Sequence, residues 1–208
     1  MIACFDTETT GVDLTIDELL QITIVDENCN ILLESYIRPV NRTSWLNAEK
    51  VNRISPDMVK DAPTAKELAP KIKEIFDAAD KIVGYNVGFD VGFVKKDCKI
   101  DIDDNKVEDC LKIFRAECKK KKVTLPHHKL GDAVDFYCPE AKAAYLSNAH
   151  DASCDAIATM KVFNAQLDDT KQRYYEKTTE LSSNGALKFL NALKNAKEKE
   201  SNEEEIEI

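Results

Sequence analysis

Hydrophobic residues open the chain in short, dense runs separated by turn-forming residues. Residues 1–8 read as a buried strand, and Thr9-Thr10-Gly11 then forces a turn. Residues 19–25 (LLQITIV) and 31–37 (ILLESYI) read as two further strands, and the short connection at 26–30 marks a hairpin. The pattern therefore predicts three antiparallel strands in sequence. Beyond them the apolar spacing lengthens. Ser55-Pro56 is a helix start, and Thr64-Ala65-Lys66-Glu67 has the form of a capping box, followed by Leu68, Ile72, Ile75 and Phe76 at helical spacing. Pro70 falls inside that helix and should kink it or sit in its early turns. A strand at 81–85 (KIVGY) leads into a helix at 89–96. Residues 107–121 read as a short strand or turn running into a helix, and 128–137 and 150–167 as two more helices. Strands first, then strands alternating with helices, predict an α/β fold: a mixed central sheet flanked by helices.

Composition changes this picture little until the C-terminal end. The 208 residues are 43% hydrophobic and 32% charged, as expected of a soluble globular protein with one domain and an appendage. No apolar run approaches the roughly 20 residues of a membrane span. The opening MIACFDTETTG has neither the basic region nor the apolar stretch of a secretion signal. Seven cysteines, at 4, 29, 98, 110, 118, 138 and 154, form no C-x-x-C pair, which disfavours both zinc and a disulfide framework and predicts reduced thiols in a cytoplasm. After about residue 168 the pattern drifts. Residues 168–197 read as a C-terminal helical extension with an apolar stripe at Leu187, Leu190 and Leu193, and 198–208 as an acidic, disordered tail. The formal charge of -9 argues against coating nucleic acid by electrostatics alone, but not against meeting phosphate through bound metal ions.

Three stretches carry candidate chemistry. In Phe5-Asp6-Thr7-Glu8-Thr9, Asp6 and Glu8 lie two apart on a strand, so both carboxylates leave the same face. Two anions side by side near a core call for a cation, and a hard divalent ion suits oxygen ligands. They read equally well as surface acids at a strand end. In Gly84-Tyr85-Asn86-Val87-Gly88-Phe89-Asp90, glycines end a strand and Asp90 opens a helix. The glycine spacing is not that of a dinucleotide site, and an acid in the first helical turn is favoured by the helix dipole alone. In His150-Asp151-Ala152-Ser153-Cys154-Asp155, a histidine and two acids open a late helix, with Asp151 and Asp155 rival candidates for cap and for metal ligand.

Taken together, FDTETTG, IVGYNVGFDVGF and HDASCDAIAT resemble, in order and spacing, the three motifs of the DnaQ-like (DEDDh) 3′→5′ exonucleases, whose fold is ribonuclease H-like. The intervening VNRISPDMVKDAPTAKELAPKI is similar as well, and the likeness covers about residues 1–166, within a predicted exonuclease domain at 1–167. The resemblance implies that Asp6, Glu8, Asp90 and Asp155 hold two divalent cations, Mg2+ or Mn2+, and that His150 takes the proton from an attacking water. It implies nucleic-acid 3′ ends as substrate, single-stranded DNA favoured, with release of nucleoside 5′-monophosphates. Thr7, Thr9, Asn86 and Phe89 would contact that substrate. Many members carry a histidine where this chain has Val51-Asn52-Arg53, and Asp109 is followed by Cys110 in place of the commoner Thr.

Arg115, Lys119, Lys120, Lys121, Lys122 and Lys129 form the one dense basic region, readable as phosphate-backbone contacts or as a solvated helix end. His127 and His128 lack metal-like spacing, and Trp45 and Tyr85 fit packing better than base stacking. A role in DNA polymerase proofreading, with a polymerase subunit on the C-terminal extension, and a role in RNA trimming are both compatible with these motifs. Two other classes compete. A haloacid-dehalogenase-type phosphatase would use Asp6 as nucleophile and Asp132 as its late acid, leaving Asp90, His150 and Asp155 without roles. A non-catalytic docking module on the same fold would not need all five site residues. Residues 197–208 hold two Lys and six Glu, so without them the charge is -5; four site carboxylates neutralised by two dications leave about -1.

Overall fold

The computed structural model describes residues 1–170. The chain divides into two compact units, Met1–Gln166 and Leu167–Ile208, and the sheet with its covering helices belongs to the first. Of the expected C-terminal extension and tail, everything from residue 171 on lies outside the described residues.

Strand β1 (Ile2–Thr9) occupies the centre of a five-stranded sheet. It pairs antiparallel with β2 (Leu19–Val25), which pairs antiparallel with β3 (Ile31–Tyr36), so the three opening strands form the expected meander. Next in the chain come three helices, α1 (Leu46–Asn52), α2 (Pro56–Val59) and α3 (Ala65–Ala78). Strand β4 (Lys81–Gly84) then pairs parallel to the other side of β1. Helix α4 (Gly88–Cys98) crosses back to β5 (Val107–Asp109), parallel to β4, and α5 (Cys110–Lys121) follows at once. The strand order is β3-β2-β1-β4-β5, a mixed sheet. Helices α6 (Leu130–Tyr137) and α7 (Lys142–Asn148) lead to α8, which begins at residue 152 and is helical through residue 170.

The alternation of β1 decides what each face of the sheet carries. Ala3 and Phe5 belong to a core shared with Ile22, Ile24, Ile72, Phe76 and Phe93, and the Phe5 and Phe76 rings lie 5.0 Å apart. Cys4, Asp6 and Glu8 face the other way, toward α8, where Cys4 Sγ donates to Ala156 O at 3.4 Å. The start of α8 is fixed to β2 by Ala152 N–H, which donates to Gln21 Oε1 at 3.3 Å. Lower on the same helix, Gln166 Nε2 donates to Cys110 O at 3.1 Å. The sheet is thus covered on both faces, and its central strand delivers two carboxylates to the face under α8.

Local chemistry accounts for several element ends. Thr64 and Glu67 form the predicted capping box, with Thr64 N–H donating to Glu67 Oε2 at 2.7 Å. Pro70 sits in the second turn of α3, which continues through it to Ala78. Pro56 opens α2 as expected, but that helix has only four residues and Ser55 makes no side-chain cap bond. Helix α6 starts at Leu130, two residues later than the pattern suggested, because the Asp132 carboxylate accepts from Lys129 N–H at 2.9 Å and sets the cap there. Likewise α8 starts after His150, not at it. Helices α1 and α7, which the sequence pattern did not predict, have no capping side chain at their starts. The turn after β1 needs Gly11 for room, not for a left-handed backbone: a Cβ there would lie 2.3 Å from Asp17 Oδ2.

Candidate active site

Four carboxylates and one imidazole converge where β1 ends, α4 begins and α8 opens. Ligand atoms of Glu8, His150 and Asp155 all lie within 4.8 Å of one another. Asp6 and Asp90 act on them and on each other at close range. The Asp6 carboxyl is pushed well above its ordinary range, first by lost hydration and then by repulsion from Asp90, Asp155 and Glu8. Burial, with Asp155 as the next influence, pushes Glu8 up to about 8. Asp90 rises to about 7 by burial, although its hydrogen bonds with Thr7 oppose the rise. Asp155 reaches about 6, again by burial, with His150 charge and N–H holding it down. The site is an acidic pocket short of positive charge.

Each acid is placed by its element. Asp90, in the first turn of α4, is 4% exposed and accepts from Thr7 twice, from its hydroxyl at 2.6 Å and its N–H at 3.1 Å. Asp151 is the N-cap of α8, its Oδ1 accepting from Ser153 N–H at 3.0 Å and Cys154 N–H at 3.2 Å. Asp155, one turn further, projects into the cluster. The Tyr145 hydroxyl and His150 N–H hydrogen-bond its carboxylate, yet Asp155 Oδ1 stays buried without a hydrogen-bond partner. His150 is exposed in the left-handed region, φ 67, just ahead of the helix.

The remaining predicted residues separate. Thr7 is buried with its hydroxyl spent on Asp90, and the Thr9 hydroxyl donates to Gly11 O at 2.6 Å. Thr7, Thr9 and Phe89 line a groove of about 720 Å³ beside Glu8, whose far wall is α1 with Leu46, Val51 and Asn52. Asn86 does not line it. Asn86 is exposed in the turn after β4, φ 59, and its N–H donates at 3.0 Å to Asp109 Oδ1, which also caps α5. A second groove of about 460 Å³ runs past His150 and Asp151, bounded by Tyr36, Asn52, Arg53 and Met58. Asn52 belongs to both, so the two meet at the cluster. None of Arg115, Lys119, Lys120, Lys121, Lys122 and Lys129 lines either groove. Lys121 lies over the Phe136 ring, and His128 packs edge-on against Phe114. Trp45 is 4% exposed and donates to Ile54 O, a core residue as expected. Asp132 is committed to capping α6, far from a nucleophile's partner role.

Two residues escaped the sequence reading. Asn52 hydrogen-bonds the Glu8 carboxylate, donates to Thr9 O at 3.2 Å and accepts from Ile54 N–H at 3.1 Å. The sequence marked its neighbourhood only as a departure from a pattern. Tyr145 lies on α7, which carries no signal of its own, and nothing in its flanking residues distinguishes it from a packing aromatic.

An acidic cluster at one end of a mixed, helix-covered sheet defines the class: a ribonuclease H-like nuclease fold. A profile of the exonuclease family matches residues 3–163, and the chain belongs to that family, as a DnaQ-like 3′→5′ member. It is 31% identical over 190 residues to the 3′-5′ exonuclease DinG of Staphylococcus aureus, a match covering 83% of this chain. The chain spans only about a fifth of the length of the curated relatives it matches (20% for this one). Among solved structures it is similar to E. coli exonuclease I in complex with a dA16 oligonucleotide, with a TM-score of 0.66, 22% identity, and 85% and 42% of the two chains covered. It is also similar to exonuclease X in complex with 5′-overhanging duplex DNA, with a TM-score of 0.54, 18% identity, and coverage of 82% and 93%. Among the described residues no helix is long and apolar enough to cross a membrane.

Proposed function

We propose that the chain is a divalent-metal-dependent 3′→5′ exonuclease that removes nucleoside 5′-monophosphates from nucleic-acid 3′ ends, single-stranded DNA favoured. The observation that carries this is the convergence of Glu8, His150 and Asp155 within 4.8 Å, backed by Asp6 and Asp90. A hard divalent cation fits that donor set: carboxylate oxygens dominate it, and buried Asp155 Oδ1 has no partner of its own. Asp6, Glu8, Asp90 and Asp155 would hold two such ions, Mg2+ or Mn2+. When bound, these supply charge stabilisation at the phosphodiester and at the leaving 3′ oxygen.

The chain's own residues do the rest. His150 is exposed at the mouth of the cluster, where its imidazole can take a proton from the attacking water. Thr7 fixes Asp90, Asn52 fixes Glu8, and Tyr145 fixes Asp155, so three of the four acids have a dedicated positioning partner. The groove between Phe89 and α1 receives the terminal nucleoside against Leu46 and Val51. The likeness to exonuclease I, solved on single-stranded oligonucleotides, favours DNA as the first substrate to try. Proofreading for a polymerase is a further role within this reading; the segment offered for docking lies largely outside the described residues.

The test is a 3′-labelled single-stranded oligonucleotide incubated with Mg2+ or Mn2+. Labelled mononucleotide should be released and EDTA should abolish release. If the purified Asp6→Ala variant still frees single nucleotides, the mechanism is wrong.

A further inference from the structure

Arg53 is a cation beside the cluster that neither the acids nor the surrounding packing uses. It closes α1 in the left-handed region, φ 62 and ψ 17, its N–H donating to Glu49 O. Lys99 and Lys122 end α4 and α5 in the same conformation, so the backbone alone does not set Arg53 apart. Its surroundings do. Arg53 is exposed and lines the second groove with Tyr36, Met58 and His150. Among the described residues no lysine lines either groove, and the only guanidiniums on their walls are Arg42 and Arg53. Arg42 is committed to Asp17 at 3.2 Å, while Arg53 has no acidic partner among the described residues. A polyanionic strand passing four carboxylates is repelled wherever no cation meets it, and a free guanidinium offers a planar, two-pronged grip on a phosphate.

We propose that Arg53 holds a backbone phosphate of the nucleic-acid strand in the second groove, next to His150. The proposal rests on the exonuclease reading above and adds to it the path of the strand: terminal nucleoside in the groove against α1, the chain behind it running past Arg53. The lysines of α5, which line neither groove, are not needed for this grip.

Arg53→Gly separates the contact from the fold, because glycine accepts a φ of 62 without penalty. Its melting temperature should stay within a few degrees of the parent, the relieved backbone offsetting the looser unfolded chain. With a short oligothymidylate and Mn2+, KM should rise about five- to tenfold while kcat changes less than about twofold, as one charge-assisted contact is lost. The slope of log KM against log salt should fall by about 0.7, the contribution of one phosphate on a single strand. Arg53→Lys should recover part of the loss. Neutral methylphosphonate linkages, placed one at a time along the oligonucleotide, should raise KM for the parent at one position where Arg53→Gly is indifferent. An unchanged KM and salt slope in Arg53→Gly, or a loss confined to kcat, would overturn the assignment while leaving the exonuclease reading intact. If the parent itself releases no nucleotide, the exonuclease reading falls first.

Discussion

The acidic cluster makes a demanding prediction about the metal-free protein: it should lose stability as pH rises through neutrality. Asp90 is the cleanest gauge, because it is 4% exposed and its carboxyl moves from 3.8 to about 7 on folding. A folded group with a raised value holds its proton after the unfolded chain has released its own. The associated stability is complete below about pH 4 and is lost as pH climbs toward and past 7. For Asp90 alone that is about 4 kcal/mol, at roughly 1.4 kcal/mol per pH step. Glu8, raised to about 8, extends the window upward. The four acids share one site, and each proton taken up relieves the others, so the losses do not add. A total near the single-group figure corresponds to about 8–16 °C in Tm for a domain of this size. Thermal melts in EDTA at pH 5.5 and pH 8.0 capture the upper part of this loss, about 2 kcal/mol for Asp90 alone because the folded group still holds its proton at pH 5.5. Mg2+ or Mn2+ should restore Tm at pH 8.0 far more than at pH 5.5. Asp90→Asn is the control, because an amide oxygen can still accept from Thr7. It should melt higher than the parent in EDTA at pH 8.0 and respond little to metal. A parent Tm that is flat or rising between the two pH values, with no gain from Asp90→Asn, would refute the electrostatic argument.

The geometry around α8 yields two more predictions. Asp151→Ala removes a helix cap and should cost about 1 kcal/mol in urea unfolding with nucleotide release largely kept, whereas Asp155→Asn should abolish release at little cost in stability; the reverse pattern would exchange their roles. Tyr145→Phe should keep the buried ring and lose the hydrogen bond to Asp155. About three- to tenfold more Mn2+ should then be needed for half-saturation, by calorimetry as well as by activity, and an unchanged affinity would show that Tyr145 only packs.

Much of the fold was legible because the strands and helix starts here are announced by local chemistry. The β-branched runs of β2 and β3, and the Thr64–Glu67 capping box, carry their own signals. Helices α1 and α7 carry none: no side chain caps them, and they form because Ala48 of α1 packs on the cluster of Leu20 and Trp45 while α7 packs against α6. That gap mattered, since α1 walls the groove beside Glu8 and supplies Asn52 and Arg53, and α7 supplies Tyr145. The surroundings of the other motif residues were hidden for a related reason. The Thr7 hydroxyl is taken up by Asp90 and the Asn86 backbone N–H by Asp109, choices made by neighbours distant in sequence.

By itself, then, the sequence determined the antiparallel three-strand opening, the pairing of Asp6 with Glu8 on one face of β1, and the identity of the five residues expected at the centre. Those properties come from alternation along a strand and from motif spacing, both local. Only the tertiary structure decided what surrounds them. Parallel pairing of β4 brings Asp90 to Thr7 across 83 residues, and α8 laid over β1 brings Asp155 and His150 to Glu8. The same packing leaves Asp155 Oδ1 buried without a partner and Arg53 without an acid among the described residues. Burial and charge are sums over neighbours in space, and no window of sequence contains them.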